Sequence, residues 1–177
     1  MSTTTLERRV RDALRPIKDY PKPGIVFQDI TPVLSDGALL RDVVTGMAEP
    51  FAGRGVTHVV GIEARGFILG GAVATALGAG FVPVRKPGKL PWERVKEEYA
   101  LEYGTDALEC HSDGLGAGST VVIVDDVLAT GGTAEAAGRL VRKLGGRVLG
   151  WSFLLEITFL SGRARLEGAG SAVVAAV

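Results

Sequence analysis

The segment that most constrains the fold is an aliphatic run that ends on two adjacent carboxylates. Residues 120–126 read TVVIVDD, and residues 129–133 read ATGGT. An unbroken aliphatic run is typical of a strand buried on both faces, as in a parallel sheet covered by helices. Residues 134–145, AEAAGRLVRKLG, then place apolar side chains at helical spacing. The segment therefore predicts a strand, a tight turn and a helix, which is a repeating unit of α/β folds.

The same alternation continues along most of the chain. Four further strands are predicted, at residues 58–64, 81–86, 147–157 and 171–177. Three further helices are predicted, at residues 5–17, 37–52 and 66–77. Asp36 precedes the second of these and is a suitable N-cap residue. The pattern predicts an α/β fold with a mostly parallel, twisted sheet flanked by helices, and it indicates a single domain over residues 1–177.

Composition argues against several classes of protein. The chain has 20 basic and 20 acidic residues, so its zero net charge argues against bulk nucleic-acid binding. Residues 66–84 are uncharged and long enough to span a membrane, but glycines at 78 and 80 interrupt them, so a buried helix and strand are expected instead. The single cysteine, Cys110, excludes an intrachain disulfide. Together with a charged N-terminal segment, it predicts a cytoplasmic protein.

The carboxylates and the turn that follows them indicate the kind of ligand bound. In such a sheet, ligands lie beyond the carboxyl ends of the strands, where Asp125 and Asp126 are expected. A helix N-terminus, glycines and hydroxyl groups favour binding of a phosphate. The turn contains the hydroxyl groups of Thr130 and Thr133 and the glycines at positions 131 and 132, and the predicted helix follows it directly. No P-loop lysine follows, which favours a monophosphate. The carboxylates repel phosphate and suit ribose hydroxyls or a divalent cation, so a ribose 5-phosphate satisfies both halves. A solvated Asp-Asp pair before a glycine-capped turn fits the short motif equally well.

The stretch VVIVDDVLATGGTA resembles the phosphoribosyl pyrophosphate loop of the type I phosphoribosyltransferases. Four other stretches, in compatible order and spacing, resemble the members of that family that act on adenine: DYPKPGIVFQDITPVL (19–34), GIEARGF (61–67), VPVRKPGKLP (82–91) and LEYGTDALE (101–109). The loop alone specifies only the superfamily, whereas RKPGKLP and LEYG are more specific to the adenine enzymes. The resemblance extends from about residue 11 to about residue 166.

The resemblance implies a transferase of purine salvage that converts adenine and 5-phosphoribosyl 1-pyrophosphate (PRPP) to AMP and pyrophosphate. It also implies Mg2+, held mainly through PRPP and pyrophosphate rather than directly by the protein, and a homodimer. A phosphoribosyltransferase for another base would share the loop and the Asp-Asp pair. A non-catalytic PRPP sensor that grips nucleic acid would need a further domain or a broad basic surface, which the composition does not suggest.

Roles for the sugar and pyrophosphate groups follow from the resemblance. Asp125 and Asp126 would hold the ribose hydroxyls, and the phosphate turn, defined as Ala129–Thr133, would hold the 5-phosphate. Arg65 would bind pyrophosphate beside a cis peptide between residues 63 and 64, and would assist catalysis. Residues 85–98, called the lid segment, resemble a mobile lid of irregular structure that spans about 85–100 and excludes water. Two basic residues of this segment are candidate pyrophosphate ligands, Lys86 and Lys89.

The base would lie under a small hood formed mainly by residues 19–35. Glu102 would be the acid/base group near the imidazole nitrogens of adenine, since the base loses its N9 proton on attack. Three hood residues, Val26, Phe27 and Gln28, would bind adenine, and Tyr103 at the foot of the lid would bind PRPP or AMP. Leu160 would close the other side. Relatives commonly have arginine where this chain has Gln28. Plain structural alternatives are a solvated Arg65, a surface Glu102 and a core Phe27.

Overall fold

The computed structural model describes residues 3–100, 104–166 and 170–177. Its helices are α1 (Thr3–Ala13), α2 (Thr31–Ser35), α3 (Gly37–Ala48), α4 (Arg65–Leu77) and α5 (Gly132–Lys143), with short 3-10 helices at Glu49–Phe51, Thr158–Leu160 and Gly162–Arg165. Its strands are β1 (Arg15–Lys18), β2 (Val26–Asp29), β3 (His58–Ile62), β4 (Gly80–Val84), β5 (Arg94–Ala100), β6 (Thr105–His111), β7 (Thr120–Leu128), β8 (Arg147–Glu156) and β9 (Gly170–Ala176).

A five-stranded parallel sheet forms the centre of the fold, in the order β4-β3-β7-β8-β9. This confirms the predicted α/β class with a parallel sheet. β4 lies next to β3 at one edge of the sheet, and β7, β8 and β9 follow on the opposite side of β3, towards the other edge. The strand order therefore reverses between β3 and β7, which is the point where open α/β sheets bind ligands.

The sheet separates two hydrophobic cores, and β7 shows why its sequence is apolar without interruption. Val122 and Val124 point into the core shared with α1, α3 and α4. Val121 and Ile123 point into the other core, with α5 and the β5–β6 hairpin. All four residues are fully buried, and each contributes roughly 1.5–3 kcal/mol relative to an exposed side chain. A strand buried on both faces has no position for a polar residue until it reaches the edge of the sheet.

The N-terminal region differs from the prediction of one helix over residues 5–17. Helix α1 ends at Ala13, and residues 15–18 form β1, which pairs antiparallel with β2. Pro16 explains the difference, because proline cannot continue a helix and biases the preceding residue towards extended backbone. The Tyr20–Pro21 peptide in the connection between the two strands is cis. The hairpin overlaps residues 19–29 of the segment 19–35 that was predicted to form the hood.

The lid segment was predicted to be irregular, but its C-terminal part forms a strand. Its last residues enter β5, which pairs antiparallel with β6 over seven residues. The alternating pattern of β5 is disguised because Glu97 occupies an inward position between Val95 and Tyr99. Glu97 is 8% exposed and forms ion pairs with Arg139, at 2.5 Å, and Lys143 of α5. A buried carboxylate of this kind is tolerated because it is paired.

Two further expectations are confirmed. The uncharged segment 66–84 forms most of α4 and all of β4, and within the described ranges no helix is long and apolar enough to cross a membrane. Asp36 caps α3, because its carboxylate accepts the backbone N–H groups of Ala38 at 2.9 Å and Leu39 at 3.0 Å.

Candidate active site

A cavity of about 440 Å³ lies at the carboxyl edge of the sheet, between the ends of β3 and β7. It contains five of the predicted site residues, together with Ile62, Glu63 and Ala64; the five are Arg65, Lys86, Asp125, Asp126 and Thr133. A smaller cavity of about 70 Å³ is lined by Asp125 and by residues 127–134, including the whole phosphate turn. Residues distant in sequence therefore meet where the strand order reverses.

The two adjacent carboxylates at the end of β7 have different surroundings. Asp126 is 7% exposed, and its Oδ2 lies 2.5 Å from Nε of Arg65. Asp125 accepts the backbone N–H of Asp126 at 2.8 Å through Oδ1. Burial raises the pKa of Asp125, and the negative charge of Asp126 raises it further. A positive charge developing nearby would favour the fully ionised pair.

Close packing brings the start of α4 against the end of β7. A Cβ atom on Gly66 would lie 2.8 Å from Oδ1 of Asp125 and 3.0 Å from the carbonyl oxygen of Val124. Only glycine allows this approach, so the Arg-Gly sequence at positions 65 and 66 places the guanidinium beside the carboxylates. The preceding Glu63–Ala64 peptide is cis, as the resemblance implied.

The cations predicted to bind pyrophosphate are paired with carboxylates of the chain itself. Glu63 accepts hydrogen bonds from Nε of Arg85 at 2.9 Å and from Nζ of Lys89 at 2.6 Å. Burial acts to raise the pKa of Glu63, but these hydrogen bonds outweigh it and the pKa is lowered. Lys86 is paired with Asp106. These carboxylates therefore hold the basic groups in place at the cavity where a polyanion would bind.

The phosphate turn is held by direct contact between backbone segments. Gly131, with φ of +83°, precedes α5, whose first turn has no side-chain cap and leaves backbone N–H groups free for an anion. A Cβ on Gly162 would lie only 2.2 Å from the carbonyl oxygen of Ala129. Gly162 was not among the predicted site residues. Its only signal in the sequence was a glycine after EITFLS, which does not reveal its neighbour.

Phe27 in β2 lies beside Arg65. The Phe27 ring lies 5.2 Å from Cζ of Arg65 and makes an edge contact with Tyr20 at 5.3 Å between centroids. Alternation along β2 directs Val26 and Gln28 to the opposite face. Val26 is 53% exposed, and Gln28 lines a separate cavity of about 400 Å³. The structure thus brings Phe27, but not the side chain of Gln28, to Arg65.

Three other predicted site residues are Leu160, Glu102 and Tyr103. Leu160 is partly buried in the 3-10 helix at Thr158–Leu160. Glu102 and Tyr103 lie outside the described residues, so their roles stay predictions. The structure also adds three residues that the sequence reasoning gave no ligand role, Glu63, Tyr99 and Asp106. Two of these lie within recognised motifs, GIEARGF and LEYGTDALE, but their partners follow only from the fold.

The sequence matches known proteins over most of its length. The model of the phosphoribosyl transferase domain family matches residues 38–156. An adenine phosphoribosyltransferase from Myxococcus xanthus is 57% identical over 166 residues, which cover 94% of this chain and 90% of that protein. Another from Thermobifida fusca is 55% identical over 164 residues, covering 93% and 91% respectively.

Solved structures agree with the sequence comparison. Adenine phosphoribosyltransferase from Rhodothermus marinus superimposes with a TM-score of 0.94 at 51% identity, covering 98% of this chain and 99% of that one. The Saccharomyces cerevisiae enzyme, complexed with D-2,5-dideoxy-2,5-imino-altritol 1,6-bisphosphate and adenine, gives a TM-score of 0.90 at 39% identity, with 97% and 99% coverage.

Proposed function

The chain belongs to the phosphoribosyltransferase family, as one of its adenine phosphoribosyltransferases, and we propose that the sheet edge between β3 and β7 is its active site. The enzyme makes AMP and pyrophosphate from adenine and PRPP, a reaction of purine salvage. The observation that carries the assignment of the site is the Arg65–Asp126 contact. It joins a cation for pyrophosphate to a carboxylate for ribose in one cavity.

The Asp-Asp pair and the phosphate turn bind the ribose 5-phosphate part of PRPP. Attack on the anomeric carbon builds positive charge on the ribose, and carboxylates beside it stabilise that charge. Asp125 and Asp126 accept hydrogen bonds from the ribose hydroxyls and supply this negative potential. The free N–H groups at the start of α5 and the hydroxyl groups of Thr130 and Thr133 hold the 5-phosphate. The sugar is thus fixed at both ends.

The basic residues at the same cavity would bind the pyrophosphate. Arg65 and Lys86 line the cavity, and Lys89 reaches its wall through Glu63. Because negative charge accumulates on the leaving pyrophosphate, these groups stabilise the transition state more than the ground state. The lid segment closes over this end and excludes water, which would otherwise consume the activated sugar.

The base is held between the hood and the carboxylate of Glu102. Phe27, fixed beside Arg65, stacks on adenine, and the backbone of residues 26–28 reads its edge. Leu160 closes the opposite side, and Tyr103, by the family resemblance, contributes to binding PRPP or AMP. Glu102 accepts the proton that the imidazole nitrogen loses as the glycosidic bond forms. Since the Gln28 side chain faces another cavity, its replacement of arginine affects base binding little. The bound adenine in the yeast structure supports this choice of base.

Mg2+ fits the site as a partner of the substrate. Among residues 3–100, 104–166 and 170–177 no three His, Cys, Asp or Glu side chains form a metal-binding group, and Asp126 is already paired with Arg65. Mg2+ commonly keeps water and phosphate ligands and takes only one or two carboxylates, so Asp125 and Asp126 suit an ion carried mainly by PRPP. When bound, the ion would neutralise charge on pyrophosphate.

The assembly and compartment follow from the family and the composition. The protein is a homodimer, as the resemblance implies, and light scattering after gel filtration would measure its mass in solution. It works in the cytoplasm, which agrees with the presence of a single cysteine, Cys110.

The direct test is base-by-base turnover with PRPP and Mg2+. Adenine should give AMP and pyrophosphate, whereas hypoxanthine and guanine should react far more slowly. Conversion of hypoxanthine without conversion of adenine would overturn the choice of base.

The variant Glu102→Gln tests the acid/base role. Turnover should fall by roughly 100-fold or more, which is the contribution typical of a general base, with PRPP binding largely kept. Unchanged turnover would remove Glu102 from that role.

A further inference from the structure

Lys86 is held at the cavity by two residues of the β5–β6 hairpin. Its ammonium group donates to the hydroxyl of Tyr99 at 2.7 Å and is paired with the carboxylate of Asp106. Tyr99 and Asp106 are direct cross-strand partners, and the tyrosine hydroxyl donates to Oδ2 of Asp106 at 3.3 Å. Lys86 is therefore fixed by two contacts that also contact each other.

The same tyrosine reaches the phosphate turn. Oγ1 of Thr133 donates to the Tyr99 hydroxyl at 3.3 Å. The Tyr99 hydroxyl thus accepts hydrogen bonds from Lys86 and Thr133 and donates one to Asp106. All three of its hydrogen-bonding positions, one donor and two acceptors, are therefore used. Thr133 and Lys86 both line the cavity of about 440 Å³. In the proposed site, Thr133 faces the 5-phosphate and Lys86 faces pyrophosphate. Tyr99, 6% exposed, joins the two ends of the substrate site from behind.

The hairpin that carries Tyr99 is itself fastened to the helix behind the phosphate turn. Glu97, two residues before Tyr99, is paired with Arg139 at 2.5 Å and with Lys143. Arg139 is also paired with Glu135 in the same helix, at 2.7 Å. These contacts set the distance between β5 and α5, so the Tyr99–Thr133 contact does not depend on the loop around residue 86.

We propose that Asp106 and Tyr99 are positioning residues for PRPP binding, which hold the Lys86 ammonium group where pyrophosphate meets it and link it to the 5-phosphate seat. The proposal rests on the proposed role of Lys86 as a pyrophosphate ligand. Asp106 acts through Lys86 and not by contact with the substrate. Burial disfavours charge on Lys86, but the hydrogen bonds to Asp106 and Tyr99 outweigh it and raise its pKa, so the lysine stays charged for an anionic ligand.

Two conservative variants and one matched control test the proposal. Asp106→Asn keeps the shape of the side chain but removes its charge, and the KM for PRPP should rise by about tenfold, as expected for loss of a charge-assisted contact. Tyr99→Phe removes the hydroxyl but leaves the Lys86–Asp106 ion pair in place, so the KM for PRPP should rise by a smaller factor, about threefold. The KM for adenine should change little in both. Glu98→Gln alters the neighbouring carboxylate on the exposed face, paired with Lys96, and should behave as the wild type.

A double-mutant cycle separates positioning from general stability. Asp106→Asn should weaken PRPP binding in the wild type but have no further effect in a Lys86→Met background. The proposal is wrong if Asp106→Asn leaves the KM for PRPP unchanged, raises the KM of both substrates equally, or has the same effect without Lys86. Calorimetric titration with pyrophosphate repeats the cycle without turnover. Failure to make AMP would thus refute the proposed function, and loss of coupling in calorimetry would refute this inference.

Discussion

Replacing Gly162 with alanine would perturb the phosphate turn without changing any residue of the turn itself. The added Cβ would lie 2.2 Å from the carbonyl oxygen of Ala129 and 3.1 Å from the amide nitrogen of Gly131. Both are backbone atoms, so no side chain can rotate away. The carbonyl group must move by about 0.8 Å to reach even 3.0 Å, a separation below which real Cβ contacts essentially never fall. The variant therefore displaces the proposed 5-phosphate seat.

The size of the effect follows from this displacement. Overpacking of a close contact costs about 1–3 kcal/mol. In a domain of this length each kcal/mol lowers Tm by about 2–4 °C, so Tm should fall by roughly 2–12 °C. Misplacement by about 1 Å can reduce turnover by roughly 100-fold, so kcat/KM for PRPP should fall by about 10- to 100-fold.

Calorimetry and initial-rate kinetics with PRPP measure these two effects, with Gly37→Ala as the control. Gly37 is also the first residue of a helix, and a Cβ there would meet no atom within 4 Å. The control should keep its activity and a Tm close to that of the wild type. If Gly162→Ala matches the control in both measurements, the close contact relaxes freely and Gly162 does not position the phosphate turn. A lower Tm with unchanged kcat/KM would limit Gly162 to a role in stability.

Three further predictions concern single residues. Trp92, 62% exposed in the lid segment, should shift its fluorescence emission to the blue when PRPP and Mg2+ close the lid, and Trp92→Phe should abolish the shift because Trp151 is already buried. Cys110 should be alkylated much more slowly in the native protein than in urea at about pH 8, because burial raises its pKa to about 11. The contribution of the buried thiol to stability is present below pH 9 and is lost as the pH rises towards 11. Fast labelling of the native protein would contradict this prediction. Asp36→Ala should lower the free energy of unfolding in urea titration by about 1 kcal/mol, whereas Asp36→Asn should retain the cap and most of that energy.

Hydrophobic periodicity alone predicted the central sheet, because its strands are buried on both faces and each position therefore favours an apolar residue. Residues 121–124 are apolar at every position, and either face of the strand meets a core. The glycines and threonines after Asp126 favour an anion at a helix start in any fold that has one. Recognition of adenine needed more, namely the resemblance of LEYG, RKPGKLP and VFQD to one family.

Periodicity failed where a distant partner changed the meaning of a residue. Glu97 looked like part of a charged loop, yet it lies on the inner face of β5 because Arg139, 42 residues later, neutralises it. Pro16 was a local signal, and with it the end of α1 could have been predicted.

The layers of the fold, the strand that ends on two carboxylates and the turn suited to phosphate can all be predicted from the order of the residues. Which charges meet depends on the folded chain. Arg65 is paired with Asp126, Lys89 with Glu63 and Lys86 with Asp106, all pairs from separate segments. Charge attraction acts between any acid and any base, so sequence alone leaves many pairings possible. The packing of strands and helices selects one of them by distance.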